Sequence, residues 1–590
     1  MMKRTRLGAV VATAAVALST AAVAAPSSAA PDKDRETVQS APAVQEAPAR
    51  KAKRRAAIRI LSFNDFHGRL RDEGGLGGAP ALAAKITELR QQYGRRTTVT
   101  AAAGDLIGAS QFESTIFQDE PTIEVLEAMG LQTSAVGNHE FDEGVRELLR
   151  IQHGGCYDQC FEDGVAYDGA DFPYLAANVT WKGSGKPILP PYWVKKVRGV
   201  EVGFIGVVTD DLPVLVNPSG IRNVDVGSEA EAINHYSQVL SAKGVKTQVV
   251  LMHEGSAQTW EPGEGETPED DPRTPNTCIG LEGPVAAIND AVVPQVDAMV
   301  TGHSHEGYVC MLDDPRGNPR PVTQASDYGS LVTATKLVVD RKTGNVLRDR
   351  SKARNHEVTV EDGVDETVQA IVQKWLDKAA PLANEVVGSV TEDITGDSSG
   401  DRGAETPMGR LVADSILWGT QAEADGGAEI AFMNTSGVRD SFIYAETPGG
   451  EQPGEITYGE AGAVAPFGNL LVTLDLTGAD IEAVLNQQWK GEAASRPVLA
   501  LNPSEGFTYD WDPEAHQVVP GSMELNGEPV GADDVYRVAT LNFLADGGDG
   551  FTAFGEGENV LGGPSDLENL VAYLEANPGL SVTDDRVGGL

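Results

Sequence analysis

Short β-branched or apolar runs alternate with helical patterns between residue 57 and about residue 340. The strand-like runs include IRILSFND, TTVTAAAGD and TQVVLMHE, and helical patterns such as ALAAKITELRQQYG separate them. This alternation is typical of β-α-β units, which place helices on the faces of a sheet. The first half of the chain is therefore predicted to form an α/β domain.

Polar side chains follow five of these predicted strands, at the point where each run ends. In an open α/β sheet, ligands bind outside the carboxyl ends of the strands, so these side chains should converge. The chain has 9 histidines, and five of them lie in these clusters. The clusters are FNDFHG with Asp65 and His67, AGDLIG with Asp105, GNHEFD with Asn138 and His139, LMHEG with His253, and TGHSHEG with His303 and His305.

The side chains in the five clusters predict a metal centre. Carboxylate, imidazole and amide ligands suit Mn, Zn, Fe or Mg. Asp65 and His67 are two positions apart, so on an extended segment they share a face and can bind one ion. A turn can direct His303 and His305 towards two ions. Two such ions, about 3.5 to 4 Å apart, hold a water and brace a phosphoryl oxygen during displacement.

Asp105 is expected to bridge the two ions, because Gly104 lets the chain turn so that the carboxylate faces the cluster. Asn138 is predicted to be a neutral ligand, and His139 to lie beside the metals without binding them. A strand-capping Asp-His pair, or a turn with one hydrogen-bonded imidazole, would explain any single cluster. Five clusters in this order favour the metal centre.

The N-terminal segment has a basic start, an apolar run of small residues and Ala-x-Ala sites, which indicate a secretory signal. The polar, Pro-containing segment that follows is predicted to be disordered. No later stretch reaches the roughly 18 apolar residues of a membrane helix, so we expect a secreted or cell-envelope protein without a membrane anchor. A formal net charge of -41 argues against a nucleic-acid polymer as ligand but permits a small anionic substrate.

Four cysteines in an exported chain are expected to form disulfides. The pairing of Cys156 with Cys160 and of Cys278 with Cys310 closes local loops. A metal site is the alternative, although no two of these cysteines have C-x-x-C spacing.

A second domain is expected because 590 residues exceed a single hydrophobic core. Val368, Ile371, Val372 and Trp375 form an amphipathic stripe that predicts a helix bridging the two domains. Strands, helices and Gly-rich turns follow it. The predicted boundaries are 1–30 for the signal peptide, 31–56 for a disordered lead, 57–350 for the first domain, 351–384 for the linker with the bridging helix, and 385–590 for the second domain.

With these clusters the sequence resembles the calcineurin-like metallophosphoesterases and, among them, the secreted 5'-nucleotidase family, over roughly residues 57 to 590. The resemblance implies an α/β chain of two domains: an N-terminal four-layer α/β/β/α metallophosphoesterase fold and a C-terminal α+β substrate-binding domain. It also implies two divalent metal ions, Zn, Mn or Mg. The first ion would take Asp65, His67, Asp105 and His305. The second would take Asp105, Asn138, His253 and His303.

The resemblance also implies a catalytic dyad of His139 and Asp142. The imidazolium would stabilise charge on the phosphoryl oxygens or on the leaving group, and the carboxylate would orient it and raise its pKa. The alternative for Asp142 is a residue that starts a helix.

Three segments of the second domain, FMNTSGVRDSF, APFGNL and NFLADGGDGF, match the substrate-binding segments of the family. Two aromatic rings would stack on a base, a carboxylate would accept hydrogen bonds from ribose, and two arginines would hold anionic oxygens. Core packing is the alternative for each ring. At Thr435 and Ser436 the sequence departs from the usual Gly-rich form. The implied substrate residues are Arg402, Asn434, Arg439, Phe467, Asn469, Phe543 and Asp549.

The implied reaction releases phosphate from nucleoside 5'-monophosphates by attack of a metal hydroxide, with domain rotation about the connecting helix. A 2',3'-cyclic-nucleotide 2'-phosphodiesterase and a UDP-sugar hydrolase are the alternatives among enzymes. A non-catalytic nucleotide-binding surface protein is the alternative of another class, and the complete ligand set argues against it. The sequence identifies neither the native metal, the preferred base nor the oligomeric state, and it gives no role to the insertions at 154–170 and 255–280.

Overall fold

A computed structural model describes residues 54–589, except for residues 73, 157–159, 161–163, 217, 260–271, 398–401, 492–496 and 546. The predicted signal peptide and nearly all of the predicted disordered lead lie outside the described residues. The first strand begins at Arg55. Among the residues that the structure describes, no helix combines the length and the apolar character that a membrane crossing requires.

Two six-stranded sheets, here called sheet A and sheet B, form the N-terminal half. The strands of sheet A, in spatial order, are Asn355–Glu357, Leu331–Asp340, Arg55–Phe63, Thr98–Ala103, Ser134–Ala135 and Tyr174–Leu175. Those of sheet B are Gly307–Asp313, Pro319–Ala325, Ala298–Val300, Thr247–His253, Val200–Val208 and Tyr192–Val197. Within each sheet, the strands that precede the five polar clusters run parallel to one another.

The two sheets pack face to face with helices on both outer faces. Along the strand Arg55–Phe63, Ile58 packs between the sheets with Phe204 and Leu251 of sheet B, whereas Leu61 points into the core beneath the helices. The helices over sheet A are Ala79–Tyr93, Glu120–Ala128, Gly144–His153 and Glu366–Ala383. Those over sheet B are Glu229–Ala242 and Pro284–Ala291. The expected four layers are confirmed.

The residue pattern alone predicts one sheet with helices on its faces, and this is where the structure differs. Strands that are buried on both faces read as continuous apolar runs, so their sequences do not record which sheet they join. The smaller elements of this half are the strand pairs Val179–Trp181 with Val224–Val226 and Ala257–Gln258 with Leu281–Glu282, and the short helices Phe112–Thr115, Leu212–Leu215 and Pro218–Ile221.

Both predicted disulfides are present. Cys156 pairs with Cys160 in the first insertion. Cys278 pairs with Cys310, so it fastens the end of the second insertion to an outer strand of sheet B. The alternative of a cysteine metal site is thereby excluded for these four residues.

The C-terminal half has a mixed five-stranded sheet, here called sheet C, which agrees with the expected α+β class. Its strands, in spatial order, are Leu501–Pro503, Ile430–Asn434, Val535–Leu541, Leu470–Thr477 and Glu558–Ser565. A smaller sheet contains Gln517–Val518, Phe507–Asp512, Glu524–Leu525, Glu528–Pro529 and Val587–Gly588, and a further pair joins Val386–Ser389 to Glu455–Thr457. The helices are Pro407–Thr420, Tyr458–Val464, Gly478–Asn486, Asn542–Ala545 and Asp566–Ala576.

The helix predicted from the apolar stripe is observed as Glu366–Ala383, and its role as a bridge between domains stays a prediction. Val368, Val372 and Trp375 of its apolar stripe are buried, and Ile371 is half-buried against the core of the first half. The helix therefore packs along the N-terminal half and leads directly into the first strand of the C-terminal half.

Candidate metal centre and substrate site

The seven predicted metal ligands converge at the carboxyl ends of the strands of sheets A and B. His253 is the last residue of its strand, and the others follow their strands within a few residues. Because the two sheets stack, strand ends from both of them meet at one edge. Sheet A contributes Asp65, His67, Asp105 and Asn138, and sheet B contributes His253, His303 and His305.

One group of donors surrounds Asp65 and His67. Nε2 of His67 lies 3.2 Å from Nε2 of His305, which in turn lies 3.5 Å from Oδ1 of Asp65. Nε2 of His67 also lies 3.8 Å from Oδ2 of Asp105. These atoms are the donors predicted for the first ion.

A second group adjoins the first and shares Asp105 with it. Oδ2 of Asp105 lies 3.0 Å from Nε2 of His253. Oδ1 of Asn138 lies 3.1 Å from Nε2 of His253 and 3.0 Å from Nδ1 of His303. The same oxygen of Asp105 thus faces both groups, which is the position that a bridging carboxylate needs.

These separations fit divalent cations. With metal-donor bonds of about 2.0 to 2.2 Å, neighbouring donors on one ion lie roughly 3.0 to 3.5 Å apart. Most of the measured distances between donors fall in or near this range. The donors are nitrogen and oxygen atoms, which suit Zn, Mn or Mg better than copper or an iron-sulfur cluster.

The backbone around the donors is strained. Asp65, His67, Asp105, His303 and His305 all have positive φ, between 47° and 73°, which non-glycine residues rarely adopt. Each such residue costs on the order of 1 kcal/mol or more, and strain of this kind concentrates at functional sites. Gly104, before Asp105, has a φ of 88°, as the expected turn requires.

The attraction between Asp105 and His253 shifts their pKa values in opposite directions, against the effect of burial. Burial alone would raise the pKa of Asp105, but the imidazoles of His253 and His139 hold it well below its usual value. Burial alone would lower the pKa of His253, but Asp105 raises it to about 9. Metal ligation needs the neutral imidazole, so a cation would replace the proton on His253.

Glu140 is a residue of the site for which the sequence analysis gave no role. Its buried carboxylate accepts hydrogen bonds from the backbone N–H groups of Asp105, at 2.9 Å, Leu106, at 2.7 Å, and Gly137. It therefore ties the loop of the bridging carboxylate to the loop of Asn138. Its position beside His139 in the GNHE motif was the signal that could have identified it.

Glu140→Gln is expected to weaken metal binding by roughly 10- to 100-fold, the usual effect of losing a residue that positions a ligand. The amide of Gln cannot accept hydrogen bonds through both of its terminal atoms. Chelator competition would measure the metal dissociation constants. Glu120→Gln is the matched control, because Glu120 is also buried but pairs with Arg150. Unchanged metal affinity in Glu140→Gln would contradict the role.

His305 also has a carboxylate partner that the sequence analysis did not identify. Oδ2 of Asp327 lies 3.1 Å from Nδ1 of His305, on the opposite side of the ring from the nitrogen that faces the other donors. Metal-binding histidines commonly have such a partner, which fixes the tautomer. No local motif marks Asp327, because the contact depends on how the loop after strand Pro319–Ala325 folds back.

His139 and Asp142, the two residues of the predicted dyad, are in hydrogen-bond contact. Nδ1 of His139 lies 2.8 Å from Oδ2 of Asp142, and the backbone N–H of His139 donates to Asp105 at 2.9 Å. Burial would lower the pKa of His139, but Asp142 and Asp105 raise it to about 10. His139 also lies close enough to His67 and Asp105 to belong to a third donor group. Its role in catalysis without metal contact stays a prediction.

Four of the predicted substrate residues lie in two small groups at the carboxyl edge of sheet C. Asn434 donates to the carboxylate of Asp549 at 2.8 Å, and the hydroxyl of Ser436 donates to the same oxygen. The guanidinium of Arg439 lies 5.3 Å from the centre of the Phe467 ring. Ser436, where the sequence departs from the Gly-rich form, thus belongs to the cluster around Asp549.

The other three predicted substrate residues, Phe543, Asn469 and Arg402, each have different surroundings. Phe543 is 39% exposed, so its ring is open to a ligand rather than packed in the core. Asn469 lies 3.4 Å from Asp566, whose backbone N–H donates to its carbonyl. Arg402 donates to the backbone carbonyl of Asp397 at 3.2 Å. The structure therefore gives Asn469 and Arg402 partners within the protein, and their contact with substrate stays a prediction.

A cavity beside the dyad is lined from both halves of the chain. His139, Asp142 and Glu147 line it from the N-terminal half, and residues 466–468, which include Phe467, line it from the C-terminal half. A predicted base-binding ring and a predicted catalytic dyad thus face one space.

Two stacked sheets with these donors at their strand ends define the metallophosphoesterase class. The family model for the 5'-nucleotidase C-terminal domain matches residues 386–556. The chain is 25% identical over 563 residues to the 5'-nucleotidase of Vibrio cholerae, covering 89% of the chain and 91% of that protein. The chain belongs to the 5'-nucleotidase family.

Longer relatives are more similar in sequence. Endonuclease YhcR of Bacillus subtilis is 30% identical over 542 residues, which is 88% of the chain but 40% of that protein. Cell wall protein Lmo0130 of Listeria monocytogenes is 31% identical over 549 residues, covering 88% of the chain and 67% of that protein. The crystal structure of a 5'-nucleotidase precursor from Thermus thermophilus matches with a TM-score of 0.61 and 24% identity over 90% of the chain and 99% of that structure, which supports the fold.

Proposed function

We propose that the chain is a secreted phosphohydrolase that uses two divalent cations, Zn, Mn or Mg, to release phosphate from nucleoside 5'-monophosphates. The main observation in support is the pair of adjoining donor groups that share Oδ2 of Asp105. A dyad and an aromatic ring from the other half line a cavity beside this centre. Export would follow from the signal predicted in residues 1–30, and N-terminal sequencing of the protein recovered from culture medium would test it.

The protein's own residues divide the work of the reaction. When bound, the two cations would stabilise negative charge on phosphoryl oxygens and lower the pKa of a water. Asp105 would hold both cations at a fixed separation. Asp142 occupies Nδ1 of His139, so Nε2 remains to donate a proton or a hydrogen bond to the phosphoryl group or the leaving oxygen.

The C-terminal half would select the nucleoside. Phe467 and Phe543 would stack on the base, and Asp549 would accept hydrogen bonds from ribose in place of those it accepts from Asn434 and Ser436. Arg439, beside Phe467, would hold an anionic oxygen. Arg402 and Asn469 are proposed as further substrate contacts on the resemblance alone.

Phe543→Ala and Phe467→Ala are each expected to weaken AMP binding by about 1 to 3 kcal/mol, roughly 5- to 150-fold, because each removes one base-aromatic stack. The measurement is kcat/KM for AMP beside kcat/KM for p-nitrophenyl phosphate, which has no nucleobase. Phe507→Ala is the matched control, because Phe507 is fully buried in the core of the C-terminal half and its loss should lower the melting temperature. Equal losses on both substrates with lowered melting temperatures would show that Phe467 and Phe543 are packing residues.

A substrate panel tests the proposed function against its alternatives. AMP, 2',3'-cyclic AMP, UDP-glucose, NAD and DNA would each be supplied with Mn, Zn or Mg. We expect the highest kcat/KM for AMP. The net charge of -41 argues against DNA, although one relative is named an endonuclease. A preference for the cyclic nucleotide or for the nucleotide sugar would replace the proposed substrate.

A further inference from the structure

Lys490 brings a buried ammonium group to the cluster around Asp549. Its Nζ lies 3.8 Å from the centre of the Phe551 ring. Nζ is buried and has no hydrogen-bond partner among the residues that the structure describes. The backbone N–H of Lys490 donates to the carbonyl of Pro497 at 2.8 Å, so the fold fixes the point from which the side chain extends.

Lys490 and Phe543 contact the turn that carries Asp549 at adjacent positions. A Cβ added to Gly550 would lie 3.5 Å from Nζ of Lys490. A Cβ added to Gly548 would lie 2.6 Å from the Phe543 ring. Asp549 therefore lies on the turn between the position beside the ammonium group and the position beside the aromatic ring. Burial lowers the pKa of Lys490, and the negative charge of Asp549 partly opposes this effect.

A structural role alone gives a poor account of this ammonium group. A buried cation without hydrogen bonds is unfavourable, and a cation-π contact offsets only part of that cost. A Met at this position would fill a similar volume without desolvating a charge. A ligand oxygen near Asp549 would accept the missing hydrogen bond.

We propose that Lys490 and Asp549 together recognise the vicinal diol of a ribonucleotide. The 3'-hydroxyl of the ribose would donate to Asp549, and the oxygen of the 2'-hydroxyl would accept from Lys490. A donor and an acceptor side by side match a diol, in which each oxygen can both donate and accept. The inference rests on the proposed function and extends it to a preference for ribonucleotides over 2'-deoxyribonucleotides.

The test compares kcat/KM for AMP, 2'-deoxy-AMP and p-nitrophenyl phosphate in the wild type and in Lys490→Met. The kcat/KM of Lys490→Met for AMP should fall by about 10- to 100-fold, the usual effect of losing a hydrogen bond to a charged group. Its kcat/KM should fall much less for 2'-deoxy-AMP and by less than twofold for p-nitrophenyl phosphate. Lys195→Met is the matched control, because Lys195 also lies over a ring, that of Trp193 in sheet B, and should change nothing.

Three results would overturn the role of Lys490. They are a change of less than twofold on AMP, an equal loss on AMP and 2'-deoxy-AMP, and an equal loss on p-nitrophenyl phosphate with a lowered melting temperature. Failure of the proposed function gives a different result, because a wild type that cleaves p-nitrophenyl phosphate but not AMP contradicts nucleotide selection as a whole.

Discussion

Asp105→Asn is expected to abolish hydrolysis of AMP and of p-nitrophenyl phosphate, and to lower the metal content of the protein. Oδ2 of Asp105 lies 3.8 Å from Nε2 of His67 and 3.0 Å from Nε2 of His253, so it faces both donor groups. The substitution keeps the size of the side chain but removes its negative charge from both proposed ions. If the substitution weakened only one donor group, the ion in the other group would stay bound.

Metal analysis of the purified variant, beside its activity, is the measurement. Asp297→Asn is a suitable control, because Asp297 is a buried carboxylate of the same half that pairs with Arg348, away from the donors. The control should keep its metals even if its melting temperature falls. Two metals and near-wild-type turnover in Asp105→Asn would mean that Asp105 is not the bridging residue.

His139→Ala is expected to keep its metals and to lose about 10² to 10⁴ in kcat, the usual range for a positioned acid or base. Nδ1 of His139 faces Asp142 at 2.8 Å, and the neighbouring carboxylates raise its pKa to about 10, which favours the protonated ring. Asp142→Asn should lose less, because the imidazole remains but its orientation and charge are less well fixed.

Metal content separates the two interpretations of His139. If His139→Ala lost an ion, His139 would be a ligand, as its proximity to His67 and Asp105 would permit. If it kept its metals and its full rate, the dyad would have no part in catalysis. Circular dichroism would exclude unfolding of the variant as the cause of a lost rate.

The convergence of the donors could be predicted because the local sequence identifies the strand that precedes each donor. Each donor follows a recognisable strand, as Asp65 and Asp105 do, and the ends of parallel strands meet at one edge. The division of the strands between two sheets could not be predicted from the pattern, because Ile58 and Phe204 are both buried and apolar. Which sheet a strand joins depends on contacts between distant segments.

Residues that act through loop geometry were harder to find from the sequence. Glu140 accepts three backbone hydrogen bonds, but an acidic residue in a polar motif has many uses. Asp327 reaches His305 only because its loop folds back beside sheet A. No sequence motif marks Lys490, and the burial of its ammonium group near Asp549 is visible only in the three-dimensional structure.

We propose that this centre cleaves nucleotides with bound divalent cations. The most direct measurement is phosphate release from AMP by metal-stripped protein titrated with Mn, Zn or Mg. We predict that the stripped protein is inactive and that its activity rises until about two equivalents are bound, as a dinuclear site requires. Phosphate release that is undiminished in the stripped protein, or that none of these cations restores, would show that the chain is not a phosphohydrolase dependent on Mn, Zn or Mg.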